Sequence, residues 1–449
     1  MRPKTPNHAL SRMKCPVDLS DVDLFSPGAQ EHWYEAYEIL HRESPVHLLP
    51  GQGLGRGSEG FVLTKHEDIS KVVRDPVRFP PTLSLRLRRI LESESPETAL
   101  ESANAMEASM ATLRPTNELY RRHRQELTDP WVGTGASRHR EMVTACVDEL
   151  IDDWVDGERV EFISRFARPL PQRVMANVLG FPREDVPKLE SWGNAQVIPF
   201  VHGEGHRMMI TKEQAAEQRA GLAGFKEYVA DHVAARRRNP QDDMVSFLCD
   251  VTYQALDRKL TELEICGIVY AMILGGLETT QYALEEQAQL LCENPGLFDV
   301  LRSERGKLRA FIEEAMRLRS PTQGLSTRYT TKDEEFQGVP VPAGSLLHLR
   351  FGAANVDADA FEHPGQLDLE RKAVTRHLAF SSGPRVCPGA SLSRLEQLVA
   401  WDRLLDRLEA IEYAPGNDFL HQPGIMLGTL ELQLAFTKAR ATRTAPTQD

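Results

Sequence analysis

The chain lacks several features that would point to other classes of protein. It has no paired-cysteine spacing: the six cysteines among 449 residues stand apart at 15, 146, 249, 266, 292 and 387. Neither a zinc ribbon nor a disulfide scaffold fits that scatter, and a reducing cytoplasm is expected. It has no basic excess. Lys and Arg number 53 against 65 Asp and Glu, a formal net charge of −12. Such a balance excludes general nucleic-acid binding. It has no long apolar run. The longest, Ile265 to Leu277, spans thirteen residues, whereas a bilayer crossing needs about twenty. Met1 to Asp21 carries charges and prolines but no apolar stretch of the signal-peptide kind. No membrane association is expected. No internal repeat and no fused flavin or iron–sulfur segment is visible.

What is present is an ordinary soluble composition, 41% hydrophobic and 26% charged. The length suffices for one large buried core. Apolar spacing predicts helices over 137–155, 184–196, 212–238, 261–292 and 305–319. Smaller β portions fall near the start and in the last third. Pro45 to Leu49 and Gly60 to Thr64 read as two short strands around a glycine-rich turn. Gly55 to Gly60 formally fits G-x-G-x-x-G, but a dinucleotide site needs a helix to follow, and Phe61-Val62-Leu63-Thr64 is strand-like. A hairpin is the expectation. The stretch 88–112, rich in Ser, Glu and Ala, reads as a mobile linker or a polar helix. Residues 1–20 read as an extension, 21–436 as a single domain and 437–449 as a disordered tail.

Two stretches carry chemistry. The first is Phe380-Ser381-Ser382-Gly383-Pro384-Arg385-Val386-Cys387-Pro388-Gly389. It places one cysteine in a turn just before a predicted helix, Ala390 to Leu405. The positive end of a helix dipole and its free N–H groups favour a thiolate there. Gly383 and Gly389 allow the backbone close to a large flat ligand, and Arg385 can neutralise a carboxylate on it. The second is Gly275-Gly276-Leu277-Glu278-Thr279-Thr280, in the middle of a long apolar helix opened by a Thr261/Glu264 capping box. Two glycines inside a buried helix cost about 1 kcal/mol each relative to Ala. That cost implies a purpose, such as a ligand close by or a bulge that frees a carbonyl.

The pattern F-x-x-G-x-R-x-C-x-G resembles the haem-ligand loop of the cytochrome P450 family, in its soluble bacterial-type branch. G-G-x-E-T-T resembles the family's oxygen-binding helix. Glu314 and Arg317 fit its E-x-x-R pair. Arg371 stands where the third member of that buried cluster is expected, although Leu367 and Leu369 replace the usual Phe and Pro. The resemblance runs from about Asp21 to Phe436. It implies a mainly α fold with smaller β-sheets, holding haem b between the long central helix and the cysteine loop. Cys387 would ligate the iron. Arg385, Arg328 and His377 would meet the propionates, and Phe380, Gly383 and Gly389 would complete the cradle. Thr279 would hydrogen-bond dioxygen, Glu278 would relay protons, and Gly275 and Gly276 would leave room above the haem. The family's early-helix H-x-x-x-R is not matched, so Arg121, Arg122, His123 and Arg124 stay open as candidates.

The implied activity is insertion of one oxygen atom from dioxygen into an apolar small molecule. Electrons would come from a separate ferredoxin or flavodoxin, ultimately from NAD(P)H, and a monomer is expected. By analogy the substrate pocket draws on Leu274, Gly275, Gln323 to Ser326, Ile425 to Leu427, and the segments 82–111 and 197–206. Arg86, Arg88 and Arg89 are candidate carboxylate anchors, with a solvated role favoured. Arg121, Arg122, Arg124, Arg138 and Arg140 form a basic stretch suited to an acidic redox partner. Two other readings carry weight: a peroxide-driven oxygenase, disfavoured by the Glu278-Thr279 relay, and a non-catalytic haem sensor or electron carrier.

Overall fold

The computed structural model describes residues 14–26, 28–53, 57–82, 106, 109–110, 113–202, 211–324, 327–422 and 424–440, with side chains from 197 to 202 left aside. Helices dominate, as the periodicity predicts. The helix over 212–238 is found with those bounds, Lys212–Arg238, capped by Thr211 and Gln214. Others shift where a tighter turn leads in. A 3-10 turn at Thr134–His139 precedes Arg140–Asp152, and one at Arg305–Lys307 precedes Leu308–Leu318. The helix predicted over 184–196 runs Val186–His202.

Four short strands form one sheet in the order Val46–Leu49, Gly60–Leu63, Leu346–Leu349, Thr327–Tyr329. The first two pair antiparallel, Val46 opposite Leu63. The glycine-rich turn is therefore a hairpin; Gly55 itself lies outside the described residues. Gly60–Leu63 runs parallel to Leu346–Leu349, and Thr327–Tyr329 closes the edge antiparallel. A second sheet joins Leu408–Tyr413, Gln433–Lys438 and Arg159–Glu161, all antiparallel.

The main core surrounds the central helix, whose Ile265, Ile268, Val269 and Ile273 are fully buried. By length and composition the stretch Glu262–Glu293 could cross a membrane, but 61% of its most apolar window is buried within the fold. Residues apolar on all sides of a helix are what a core helix needs. The capping box reads as predicted: Thr261 accepts from Glu264 N, and Glu264 Oε2 accepts from Thr261 N at 2.8 Å. Burial would raise the Glu264 carboxyl, but bonds from Arg258 and Thr261 outweigh it and lower its pKa.

Candidate active site

Cys387 lies between a 3-10 turn, Gly383–Arg385, and the helix Ala390–Arg407. The helix begins at Gly389 without a side-chain cap; Leu392 N donates to Val132 O at 3.3 Å, and the N–H groups of Gly389 and Ala390 turn to Cys387. Cys387 N donates to Phe380 O at 2.9 Å and closes the loop. Arg124 Nη1 donates to Val386 O at 2.7 Å and ties the loop to the early helix. Burial pushes the Cys387 thiol up, while the N–H groups of Gly389 and Ala390 and the charges of Arg124 and Arg394 pull it down. A bound metal cation tips that balance to thiolate.

The two loop glycines part company. Gly389 has open space where a Cβ would stand. Gly383 has φ +71°, and a Cβ there would meet Arg74 Cα at 2.9 Å and Val73 O at 3.0 Å. Gly383 is required by its left-handed backbone and by the close helix end His66–Arg74. Phe380 packs beneath the Arg394 guanidinium, 4.4 Å from its ring centre.

The predicted central helix breaks where its glycines are. Glu262–Gly276 ends, Leu277 kinks at φ −88° and ψ −57°, and Glu278–Glu293 begins. Thr279 Oγ1 donates to the freed Gly275 O at 2.8 Å. Gly275 is exposed, with nothing within 4 Å of the place a methyl group would take. An exposed glycine amid buried helix lines a hollow. Gly276 differs: a Cβ there would sit 2.9 Å from Met175 Sδ. Its missing side chain admits Met175 from the helix Pro169–Leu179, so it serves helix packing. On its other side Glu278 lines a small polar pocket with Arg168, Gln172, Glu190, Leu277 and Gln281.

A third feature is a cluster of cations. Arg328 is 6% exposed and, among the described residues, donates only to Thr327 O at 3.0 Å and leaves its buried Nε unpartnered. Burial, then the Arg385 charge, lowers it to about 10. Arg385 lies 4.4 Å over the Tyr120 ring, with an unpartnered buried Nε and one long contact of 3.5 Å to Asn117. His123 is 1% exposed, and among the described residues neither ring nitrogen has a partner. Burial first, and then the charges of Arg114 and Arg124, hold it neutral, with a pKa of about 3. Buried donors without acceptors are costly. Two incoming carboxylates would satisfy them, and haem carries two propionates. The residues present therefore fit a haem: a cysteine at an uncapped helix start, open glycines, and a wall of cations suited to carboxylates.

Of the early-helix candidates, Arg122 pairs with Glu126 at 2.8 Å and Arg124 holds the loop and Asp129. Arg121 faces solvent. Only His123 is left buried and unpartnered. His377 does not join the cluster. Its Nε2 meets Glu313 Oε2 at 3.0 Å and its Nδ1 accepts from Ala379 N at 3.2 Å. With both ring nitrogens engaged, none remains for a propionate, which corrects that expectation. Sequence reading passed over Tyr120 and Arg114; a tyrosine between basic residues gave no hint of a stack.

The Glu314, Arg317 and Arg371 cluster assembles as expected. Glu314 and Arg317 are fully buried, joined by two bonds of 2.8 Å, and Arg371 Nε adds a third at 2.8 Å. Arg317 also donates to the carbonyls of Asn355, Pro364 and Gln366, pinning the chain that leads to the cysteine loop. The two proposed substrate segments also come together: Gln323 N donates to Ile425 O at 3.2 Å and Leu427 N to Pro321 O at 2.8 Å. The Gln323 side chain is buried on Tyr37 and Ser320, away from any hollow. Leu325, Ser326, Arg86, Arg88, Arg89, most of 82–111 and the side chains of 197–206 lie outside the described residues.

A family model described as Cytochrome P450 matches residues 207–436, just over half of the 449-residue chain. The chain is 25% identical over 398 residues to the polyketide biosynthesis cytochrome P450 PksS of Bacillus subtilis (strain 168), covering 88% of this chain and 94% of that protein. It is 29% identical to the cyclomarin C epoxidase CymV of Salinispora arenicola (strain CNS-205), covering 84% and 90%. Among solved structures, P450BioI in complex with a hexadec-9Z-enoic acid ligated acyl carrier protein superposes with a TM-score of 0.76, at 25% identity, covering 91% of this chain and 99% of that one. The chain belongs to the cytochrome P450 family and is a haem-binding monooxygenase of that family.

Proposed function

We propose that this protein inserts one atom of dioxygen into an apolar small molecule, using electrons from a separate ferredoxin or flavodoxin. The observation that carries this reading is the pairing of an uncapped Cys387 helix start with a hollow at Gly275 beside the Thr279 hydroxyl. Haem, when bound, supplies the oxygen-activating chemistry, held by Cys387, Arg328, Arg385 and His123 beside Gly389 and Phe380. Thr279 Oγ1 gives its own proton to Gly275 O, which leaves its lone pairs to accept a hydrogen bond from the reacting side. Glu278, at the polar pocket of Arg168 and Glu190, passes protons inward toward Thr279. By the family resemblance Leu274 and the turn 425–427 stand nearest the substrate, and their apolar character suits an apolar compound. PksS, named for polyketide biosynthesis, and P450BioI, solved with a fatty-acyl carrier protein, favour a lipid-like or polyketide-like substrate.

Of the basic stretch, Arg138 pairs with Asp242 at 2.8 Å, and Arg122 and Arg124 are committed as above. Arg121 and Arg140 remain exposed and are the docking cations for an acidic redox partner. We read residues 21–436 as one domain, monomeric and cytoplasmic, in keeping with six unpaired cysteines. The test is absorption spectroscopy of the hemin-loaded protein. A thiolate-type reduced carbonyl spectrum, and a low-spin to high-spin change on adding apolar compounds, are expected. A histidine-type carbonyl spectrum overturns the reading. Peroxide-only turnover, with none from reduced ferredoxin, moves the protein to the peroxide-driven class.

A further inference from the structure

We infer that Arg114 is a haem-carboxylate ligand of this chain, paired with Arg385 through a shared tyrosine. The inference rests on the haem reading above and extends it to a residue ahead of the early helix Asn117–His123. Arg114 lies 5.0 Å over the Tyr120 ring, and Arg385 lies 4.4 Å over the same ring. One aromatic side chain therefore orients two guanidinium groups from distant parts of the sequence. Cation–π contact holds each of them without using its N–H donors. Those donors are still available: no hydrogen bond or ion pair engages Arg114 among the described residues, and Arg385 Nε is buried and unpartnered.

The surrounding charges sharpen the point. The groups felt by Arg114 are Arg385, Tyr120 and Tyr253, and those felt by Arg328 are Arg385 and Tyr120. No carboxylate is among them. Burial and mutual repulsion make three gathered arginines unfavourable unless an anion completes the set. The chain has an acidic excess, with 65 Asp and Glu against 53 Lys and Arg, so such a gathering without an acid is not a product of composition. His123, buried in the same cluster with both nitrogens unpartnered, feels the Arg114 charge. A planar, forked guanidinium partly buried in this cluster suits bidentate contact with a carboxylate.

The experiment compares wild type, Arg114→Gln and Arg114→Lys, each loaded with hemin or with hemin dimethyl ester, whose carboxylates are blocked. Loss of haem to excess apomyoglobin is followed by absorbance, and far-UV circular dichroism checks the fold. Arg114→Gln is expected to release hemin about tenfold faster, as for one lost charge-assisted hydrogen bond. Arg114→Lys is expected to recover part of that loss. With the dimethyl ester all three proteins are expected to release haem at one rate. Equal hemin release from wild type and Arg114→Gln overturns the inference. A difference that persists with the ester also overturns it, since Arg114 then acts through the fold. Both results leave the haem reading standing. Wild type that takes up no hemin, or lacks the thiolate carbonyl spectrum, overturns that reading and this inference with it.

Discussion

Adjacent glycines in the central helix should respond in opposite ways to the same methyl group. Replacing Gly by Ala inside a helix gains about 1 kcal/mol from backbone propensity. At Gly275 nothing lies within 4 Å of the new methyl, and neither glycine has a left-handed φ, so Gly275→Ala keeps most of that gain. At Gly276 the methyl would stand 2.9 Å from Met175 Sδ and 3.0 Å from its Cγ. Met is adaptable, yet displacing it from a packed helix contact costs about 1–3 kcal/mol. Gly276→Ala should therefore be neutral to about 2 kcal/mol destabilised. With unfolding entropy of about 2.1 cal/mol/K per residue, a chain of 449 residues moves by only about one degree per kcal/mol. The pair should differ by roughly one to three degrees in thermal midpoint, measured side by side by calorimetry. Binding should run the other way. Gly275→Leu fills the hollow and should abolish the spin-state response to apolar compounds, while Gly276→Ala retains it. A Gly275→Ala protein that melts below Gly276→Ala, or a Gly275→Leu protein with undiminished ligand response, would refute the assignment of the two faces.

Further expectations concern the buried ions and the proton path. Glu314→Ala leaves Arg317 and Arg371 without their shared carboxylate and should cost about 3–5 kcal/mol, read as a lowered denaturation midpoint and early haem loss. For Glu313, burial would raise the carboxyl, but bonds from Arg394 and His377 prevail and hold it at about 2 against an ordinary 4.5. Its stabilisation is therefore full above about pH 4.5 and is lost as pH falls toward 2. The shift corresponds to at most about 3 kcal/mol. Glu313→Gln should flatten acid unfolding in that window; an unchanged acid profile would discount the Arg394–His377 pairing. Thr279→Ala should keep haem and substrate binding but divert reducing equivalents to peroxide, measured as product formed per NAD(P)H consumed. Reversing Arg121 and Arg140 to Glu should slow electron transfer from a reduced acidic ferredoxin and leave the haem spectrum intact.

Local signals carried a good deal of this. Turn residues, a lone cysteine and a following apolar helix marked the loop at 380–389, because helix starts and tight turns are written in nearby residues. The cost of two glycines in an apolar run marked a weak point, and the helix does break there, at Leu277. Glu314 and Arg317, three apart on one helix, had to share a face whatever else the fold did. Arg371 needed the family resemblance to be named, and its bond to Glu314 spans 57 residues.

Chain contacts from afar decided the rest. Gly383 belongs to its loop motif, but only the helix end at Val73 and Arg74 explains why no side chain fits there. His377 has the type expected of a carboxylate partner, yet Glu313 and Ala379 claim both of its nitrogens. Arg114 and Tyr120 are near one another in order, but Arg328 and Arg385 are distant and meet them only when the early helix, the sheet edge and the cysteine loop converge. Residue types and short spacings set which chemistry was available, since backbone geometry and pKa begin from the residue itself. Packing set which side chains were spent on one another and which stayed open, because a donor's availability depends on neighbours that sequence order does not reveal.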